Sequence, residues 1–510
     1  MPTRKSHNHT WVIALATALT ITALACSKAP HKPQATTGQR PNIIVFLADD
    51  HGQWASGPYG NHEVETPALD SLASAGVLMA NATSPSPVCS PARASLMTGR
   101  LPSQHGIHDF LSERPEYDHN WLANEVFLPE LLQTAGYRTA LIGKWHCTTM
   151  SVEPQRGFDR WLSYDVRPEG WQNEYLHHGT VHLSDQGSPI SVEGFQLEYL
   201  AQAARDFITS GDPNQPFFLL FAPTDTHFPF EGHSEEWVEH YRKAGLSPVG
   251  AGETSALPAA GPDSVAPDDI GEILAQYYSG VSRQDAELAL FLKLLDDRGQ
   301  LDRTLMVYTS DHGQMIGQHG LLGKSNATIP QNLYEESIRV PMILSWPAGF
   351  SDDGITLDIP FDHLDLFRTI LDAAQVEISE DLRQKINSPG ESLLPKLRNP
   401  DTTWRSFRFS ENGNARSISD GHFKLVRRYP PRDPQFGDEL YDLGNDPHET
   451  VNLFDSPDSQ EIQTALGDAL DSHFDLFEEP EHSGRTVMDQ PACNAMEPWR
   501  KLEKRLDSGS

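Results

Sequence analysis

Asn42-Ile43-Ile44-Val45-Phe46-Leu47-Ala48-Asp49-Asp50 is an almost wholly apolar run that stops on adjacent carboxylates. An apolar run of that length, without polar alternation, reads as a strand buried on both faces, as in a parallel sheet. Three further runs repeat the pattern. Thr139–Gly143 ends at Lys144-Trp145-His146, Phe217–Ala222 leads to His227, and Leu305–Tyr308 leads to Asp311-His312. Helical periodicity lies between them, over Thr66–Ala75, Leu128–Ala135 and Ile273–Leu295. Alternating strands and helices predict a doubly wound α/β sheet with helices on both faces. Ligands of such sheets gather at the carboxyl ends of the strands. The polar residues that close these runs are therefore expected to share one site.

A second stretch carries the chemistry. In Cys89-Ser90-Pro91-Ala92-Arg93-Ala94-Ser95-Leu96-Met97-Thr98-Gly99-Arg100 a cysteine stands at the start of a short helical pattern. Pro91 suits an early helical position, where its missing N–H is not needed. Ser90 is expected to cap the helix and Gly99 to end it. Cys89 then sits where the helix dipole favours an anion, with Arg93 one turn later. A nucleophile beside an anion hole is a site for attacking a charged oxyanion ester.

This run resembles the maturation and active-site motif of the type I sulfatases, C-x-P-S-R-x-x-x-L-T-G-R, with Ala92 where serine is usual. In that family the cysteine becomes formylglycine (3-oxoalanine), whose hydrate is the nucleophile. Four other stretches extend the resemblance: Gly143-Lys144-Trp145-His146, Thr226-His227-Phe228-Pro229, the run Gly317 to Lys324, and the acidic pair Asp49-Asp50 with Asp311-His312-Gly313. The resemblance implies an alkaline-phosphatase-like fold and one divalent cation, held by Asp49, Asp50, Asp311, His312 and modified Cys89. Ca²⁺ is expected first. His312 is a departure, because calcium prefers oxygen and imidazole suits Mn²⁺ or another transition metal better.

The resemblance also implies roles. Asp311 and the cation promote ionisation of the formylglycine hydrate. Arg93, Lys144 and Lys324 stabilise charge on the sulfuryl oxygens, His227 protonates the leaving alcohol with Lys324 beside it, and His146 deprotonates the remaining hydroxyl to release sulfate. His51, His105, His108 and Trp171 lie in segments expected to line the pocket mouth and contact a sugar. Tyr334-Glu335-Glu336 and Arg339-Val340-Pro341 resemble a common family element read as packing support.

A chain of 510 residues is long enough for two lobes. Arg4 and Lys5 precede an apolar run from Trp11 to Leu24, shorter than a membrane span and laid out as a secretory signal peptide. Cys26 follows Ala23-Leu24-Ala25, which resembles a lipoprotein box, although simple cleavage after Ala25 is the other reading. The expected organisation is a signal peptide over 1–25, a polar tether over 26–40, a catalytic α/β domain over 41–395 and a smaller α+β subdomain with an antiparallel sheet over 396–510. Within the last, Ala415–Ser419, His422–Val426 and Glu439–Leu443 read as strands and Ser459–Phe477 as a helix. The location expected is export, to the periplasm or to the outer membrane or cell surface as a lipoprotein. The membrane is then met only through the signal peptide or lipid.

From residue 41 onward 34 basic residues face 71 acidic ones, a net charge of −37. That argues against nucleic acid as a partner. It also requires an anion pocket to be made locally, by a cation and by the Arg, Lys and His residues named above. Cys147 and Cys493 are the only cysteines left for a bridge, and nothing in the sequence requires one. The expected partners are a sulfated carbohydrate or another sulfate ester, and a formylglycine-generating maturation enzyme. Two other readings stay open on the sequence: a phosphonate monoester or phosphodiester hydrolase on the same scaffold, and a non-catalytic lipoprotein that binds sulfated glycans.

Overall fold

The computed structural model describes residues 40–149, 152–167, 176–247, 250, 254–350 and 354–508. The signal peptide, the tether with Cys26, and Trp171 lie outside the described residues. The strand Asn42–Ala48 pairs in parallel with Phe217–Ala222 on one side and Thr304–Ser310 on the other. Its side chains alternate between two cores. Ile43, Val45 and Leu47 enter one, and Ile44, Phe46 and Ala48 enter the other. Both faces are buried, so the strand is wholly apolar from Ile43 until it ends before Asp49. Each large apolar side chain so buried contributes about 1.5–3 kcal/mol.

The sheet has ten strands. A parallel block at its centre runs Thr304–Ser310, Asn42–Ala48, Phe217–Ala222, Arg138–Gly143 and Arg160–Tyr164. Antiparallel neighbours close it on either side: Met342–Ser345 against Thr304–Ser310, and the hairpin His178–Asp185 with Ser188–Phe195 against Arg160–Tyr164. Helices Cys89–Thr98, Leu128–Thr134 and His363–Ala373 cover one face. Pro67–Ser74, Gln196–Ser210 and Gly271–Asp297 cover the other. This is the mostly parallel sheet with helices on both faces that the sequence predicts.

The smaller unit is a four-stranded antiparallel sheet, Arg408–Asn412, Ala415–Ser419, Phe423–Arg428 and Glu439–Asp442. Helix Gln460–Phe477 lays Leu466, Leu470 and Phe474 on its Ile418, Leu425 and Leu440. The chain then returns to the large lobe, where Cys493 joins the first core. Cys147 and Cys493 are both buried free thiols, so no bridge joins them. Among the described residues no helix is long and apolar enough to cross a membrane.

Candidate active site

Helix Cys89–Thr98 brings Cys89 to the site, and all its residues are buried. It ends as expected, at Gly99 with φ 70°, whose N–H donates to the Ser95 carbonyl. It begins differently. The N-cap is Val88, not Ser90. Ser90 already lies inside the first turn, and its Oγ accepts the Leu111 N–H at 2.9 Å. Pro91 stays in the first turn, where unpaired N–H groups make a missing donor harmless.

The acidic pairs arrive from neighbouring strands. Asp49 and Asp50 follow Asn42–Ala48, and Asp311 and His312 follow Thr304–Ser310. The Asp50 N–H donates to Asp311 Oδ1 at 3.1 Å and the His51 N–H to Ser310 Oγ at 2.8 Å, which locks the two strand ends together. Asp50 takes φ 61° and His146 φ 52°. Left-handed backbone at non-glycine residues costs energy and concentrates at functional sites.

Asp50, Cys89, Asp311 and His312 place their ligand atoms within 4.8 Å of one another, all buried. Cys89 Sγ is 3.2 Å from His312 Nε2 and 3.8 Å from Asp50 Oδ1. His312 Nε2 is 3.1 Å from Asp50 Oδ1 and 3.6 Å from Asp311 Oδ1. Lys324 Nζ donates to Asp50 Oδ1 at 2.6 Å and lies 3.1 Å from Cys89 Sγ. Two hard carboxylates, an imidazole and a fourth side chain at one point fit a single divalent cation. Asp49 is placed apart from these ligand atoms. Its carboxylate faces Lys144 Nζ at 2.8 and 3.0 Å and Arg93 Nη2 at 3.0 Å.

The charges explain one another. Burial opposes ionisation of Asp49, but Lys144 and Arg93 outweigh it and hold the carboxyl well below its usual range. Burial opposes Asp50 too, and His227, Lys324 and His312 bring it down. Burial raises Asp311 to about 6 against the pull of His312 and Arg93. Burial disfavours charged His312, yet Asp311 and Asp50 push its ring up to about 10. The Cys89 thiol drops well below its ordinary value, because Lys144, Lys324 and His312 outweigh the cost of burial.

Arg93 reaches two of the site's carboxylates. Its Nε donates to Asp311 Oδ2 at 2.9 Å, its Nη1 to the Lys144 carbonyl at 2.9 Å and its Nη2 to Asp49 Oδ1. These bonds make Arg93 a clamp on the two carboxylates. His146 lies 7 % exposed with Nε2 3.0 Å from the Leu111 carbonyl, and its ring also approaches the Cys89 thiol. His227 Nε2 is 3.6 Å from Asp50 Oδ2. The structure thus brings Cys89, Arg93, Lys144, His146, His227, Asp311, His312 and Lys324 around the Asp49-Asp50 turn.

Three residues expected at the pocket mouth are elsewhere. His51 is fully enclosed, with Nδ1 2.9 Å from the Tyr308 hydroxyl and Nε2 2.9 Å from the Ala55 carbonyl. His105 is fully enclosed beside Ser95 Oγ, and its Nδ1 accepts the Ile107 N–H. His108 Nε2 donates to the His482 carbonyl at 2.7 Å. Burial pushes the His51 and His108 imidazoles down to about 4, as suits neutral rings spent on packing and turns. The residue that is open beside His227 is Phe228, 53 % exposed.

Two supports were not legible in the sequence. The Tyr277 hydroxyl donates to the Asp50 carbonyl at 2.8 Å, and Thr226 Oγ1 donates to the Asp49 carbonyl at 2.6 Å. Thr226 could have been suspected beside His227. Tyr277 sits mid-helix with no local signal. A groove of about 430 Å³ lined by Arg138, Arg160, Tyr199 and Phe207 lies where these strands begin, away from the site at their carboxyl ends.

Comparison with known proteins places the chain in a family. The family model described as "Sulfatase" matches residues 41–376, and that of the "N-sulphoglucosamine sulphohydrolase, C-terminal" region matches 317–475. An ulvan-active sulfatase of Formosa agariphila is 27 % identical over 89 % of this chain and 84 % of its own. Human N-sulphoglucosamine sulphohydrolase is 29 % identical over 84 % of this chain and 89 % of its own. Among solved structures, one in complex with its substrate D-glucosamine-2-N,6-O-disulfate has a TM-score of 0.74 at 23 % identity, covering 86 % of this chain and 98 % of that one. The phosphonate monoester hydrolase of Agrobacterium radiobacter has a TM-score of 0.66 at 22 % identity, covering 85 % and 95 %. At those identities the solved structures establish the fold alone. The matched family covers most of the chain and the site converges on its motif cysteine: the chain belongs to the formylglycine-type sulfatase family, and it is a sulfuric ester hydrolase.

Proposed function

We propose that this sulfatase removes sulfate from a carbohydrate, using formylglycine made from Cys89 and one divalent cation held by Asp50, Asp311, His312 and residue 89, with Asp49 alongside. The observation that carries the reading is the convergence of Cys89 with Asp50, Asp311, His312 and Lys324 at one buried point. The sugar comes from the relatives: the names of the ulvan-active and N-acetylglucosamine-6-O-sulfatases specify carbohydrate. Bound together, formylglycine and cation supply a nucleophilic oxygen and positive charge for the sulfate.

The chain's own residues do the rest. Arg93 and Lys144 fix the carboxylates so that a sulfate enters a field made locally positive, despite the acidic whole. Lys324 places an ammonium between Asp50 and residue 89, where charge develops on the sulfuryl oxygens. His227, next to exposed Phe228, is the residue that passes a proton to the leaving oxygen. His146, beside residue 89, takes a proton as sulfate departs. Export and lipid attachment at Cys26 complete the proposal. A Cys26→Ser protein leaving the membrane fraction supports the anchor, and unchanged fractionation rules it out.

The test is release of inorganic sulfate from a panel of sulfated oligosaccharides, with aryl sulfate, choline sulfate and aryl phosphonate as comparisons. Activity confined to the small esters overturns the carbohydrate assignment. Faster turnover of the phosphonate than of every sulfate replaces it with a phosphonate hydrolase.

A further inference from the structure

The chain leaves the site at His312 and returns to it at Lys324, and the segment between is a hairpin. Met315–Ile316 pairs antiparallel with Leu322–Gly323. At the tip Gly317, His319 and Gly320 all take positive φ, 100°, 57° and 68°. A non-glycine residue persists in that conformation only where its surroundings impose it. His319 is gripped on two sides. Its ring stacks on Tyr334 at 3.9 Å between centroids with a 10° tilt, and its Nε2 is 3.1 Å from Glu336 Oε2.

Glu336 belongs to the short helix Glu335–Ile338, which is wedged against the site. A Cβ on Gly313, next to His312, would fall 2.1 Å from the Glu336 carbonyl oxygen, and the Gly313 N–H donates to the Ser337 carbonyl at 3.0 Å. The C-terminal subdomain holds the helix from the far side. Arg408 Nη1 meets Glu335 Oε2 at 2.8 Å, and Lys424 Nζ bridges Glu335 at 3.1 Å and Glu449 at 2.7 Å. The Glu335 N–H donates to Glu449 Oε2 at 2.6 Å, and His448 Nδ1 lies 3.5 Å from Glu336 Oε1. His319, Glu336 and Glu449 come close enough to suggest a second cation site. Lys424 already meets Glu449, and His319 and His448 meet Glu336, which makes the cluster an ion network.

We infer that His319 is a positioning residue for Lys324. Glu336, braced by the C-terminal subdomain, fixes His319; His319 fixes the hairpin; the hairpin sets where the Lys324 ammonium stands between Asp50 and Cys89. On the other side of Lys324, Asn332 Nδ2 and the Ala327 N–H both donate to its carbonyl at 2.9 Å. Without the His319 side chain the hairpin keeps its strand pairing and the bond from the Ser255 N–H to the His319 carbonyl at 2.9 Å, but its tip loses the tie to Glu336 and Tyr334. Lysine has a long, flexible stem, so a small shift of its backbone moves the charge off the reacting oxygens.

The inference rests on the role proposed above for Lys324, and a mutant cycle separates the two. His319→Ala in the matured full-length enzyme is expected to lower kcat about 10- to 100-fold with KM little changed, and His319→Gln, which keeps an N–H for Glu336, to restore part of it. The His319→Ala/Lys324→Ala protein is expected to be no slower than Lys324→Ala. Glu336→Gln gives the same cycle should His319→Ala not fold. Unchanged kcat in His319→Ala, or losses that multiply in the double variant, overturns the positioning role while leaving Lys324 in place. Full activity of Lys324→Ala overturns both.

Discussion

Cys89 lies in a pocket where cations lower its thiol far below the ordinary value, yet a thiol that attacked sulfur could not recycle as an aldehyde hydrate does. Cys89→Ser is therefore expected to abolish turnover, read as a single stoichiometric release of alcohol or none; normal turnover by the variant defeats the proposed nucleophile. Mass spectrometry of the wild-type peptide spanning residue 89 should show the aldehyde, not the thiol. Asp109 gives a prediction on stability. It is fully enclosed, its Oδ1 accepts the Phe110 N–H at 2.8 Å, and burial together with Glu497 raises it from 3.8 to about 8. A carboxyl raised on folding stabilises fully below its unfolded value, and that contribution fades as pH rises through the folded one. Asp109→Asn, which keeps the acceptor, is thus expected to raise Tm at pH 8 and leave it near wild type at pH 4. Equal effects at both pH values in thermal melts count against this account.

At the level of elements, the site depends on one helix stop and on the closure of neighbouring strand ends. Gly99 ends the helix of Cys89 at φ 70°, and a Cβ there would lie 2.4 Å from the Phe367 ring. Gly99→Ala meets both objections, strained backbone and overpacking, and is expected to cost about 2 kcal/mol or more, measured by denaturant unfolding. The strand ends carry Asp50 and Asp311, whose charges a bound cation would share. Chelation is expected to abolish activity and lower Tm, with cation at one hundred times its Kd contributing about 2.7 kcal/mol. A melt indifferent to chelator and to added Ca²⁺ or Mn²⁺ would leave the cation without support. Strands and helices with continuous or periodic apolar patterns were legible in the sequence: Asn42–Ala48 and Phe217–Ala222 are found with the bounds expected. The hairpin of His178–Asp185 and Ser188–Phe195 was not. It lies at the sheet's edge, half exposed, and no apolar run marks it.

Across the whole molecule, the two lobes are joined by more than a linker. Glu335 meets Arg408 and Lys424 across them, and after its small sheet the chain crosses back. There the Ser112 N–H donates to the Cys493 carbonyl at 3.1 Å, and Trp499 is fully buried against the Gly413 turn of the small sheet, where a Cβ would fall 2.1 Å from its ring. Trp499→Ala is expected to cost about 3–5 kcal/mol and to lower stability as one cooperative transition; two separate transitions would show that the lobes fold independently. The sequence by itself determined the sheet's central strands, the helix of Cys89 with its stop at Gly99, and which residue types carry the chemistry. These are local matters: an apolar run buried on both faces, a glycine at a left-handed turn, and motif residues contiguous in the chain. Only the tertiary structure decided that Arg93 grips Asp49 and Asp311, that His51, His105 and His108 are enclosed, and that a C-terminal ion network stands behind His319. Each depends on which distant groups meet in low dielectric, where a buried charge must find its partner, and that pairing has no signature in residue spacing.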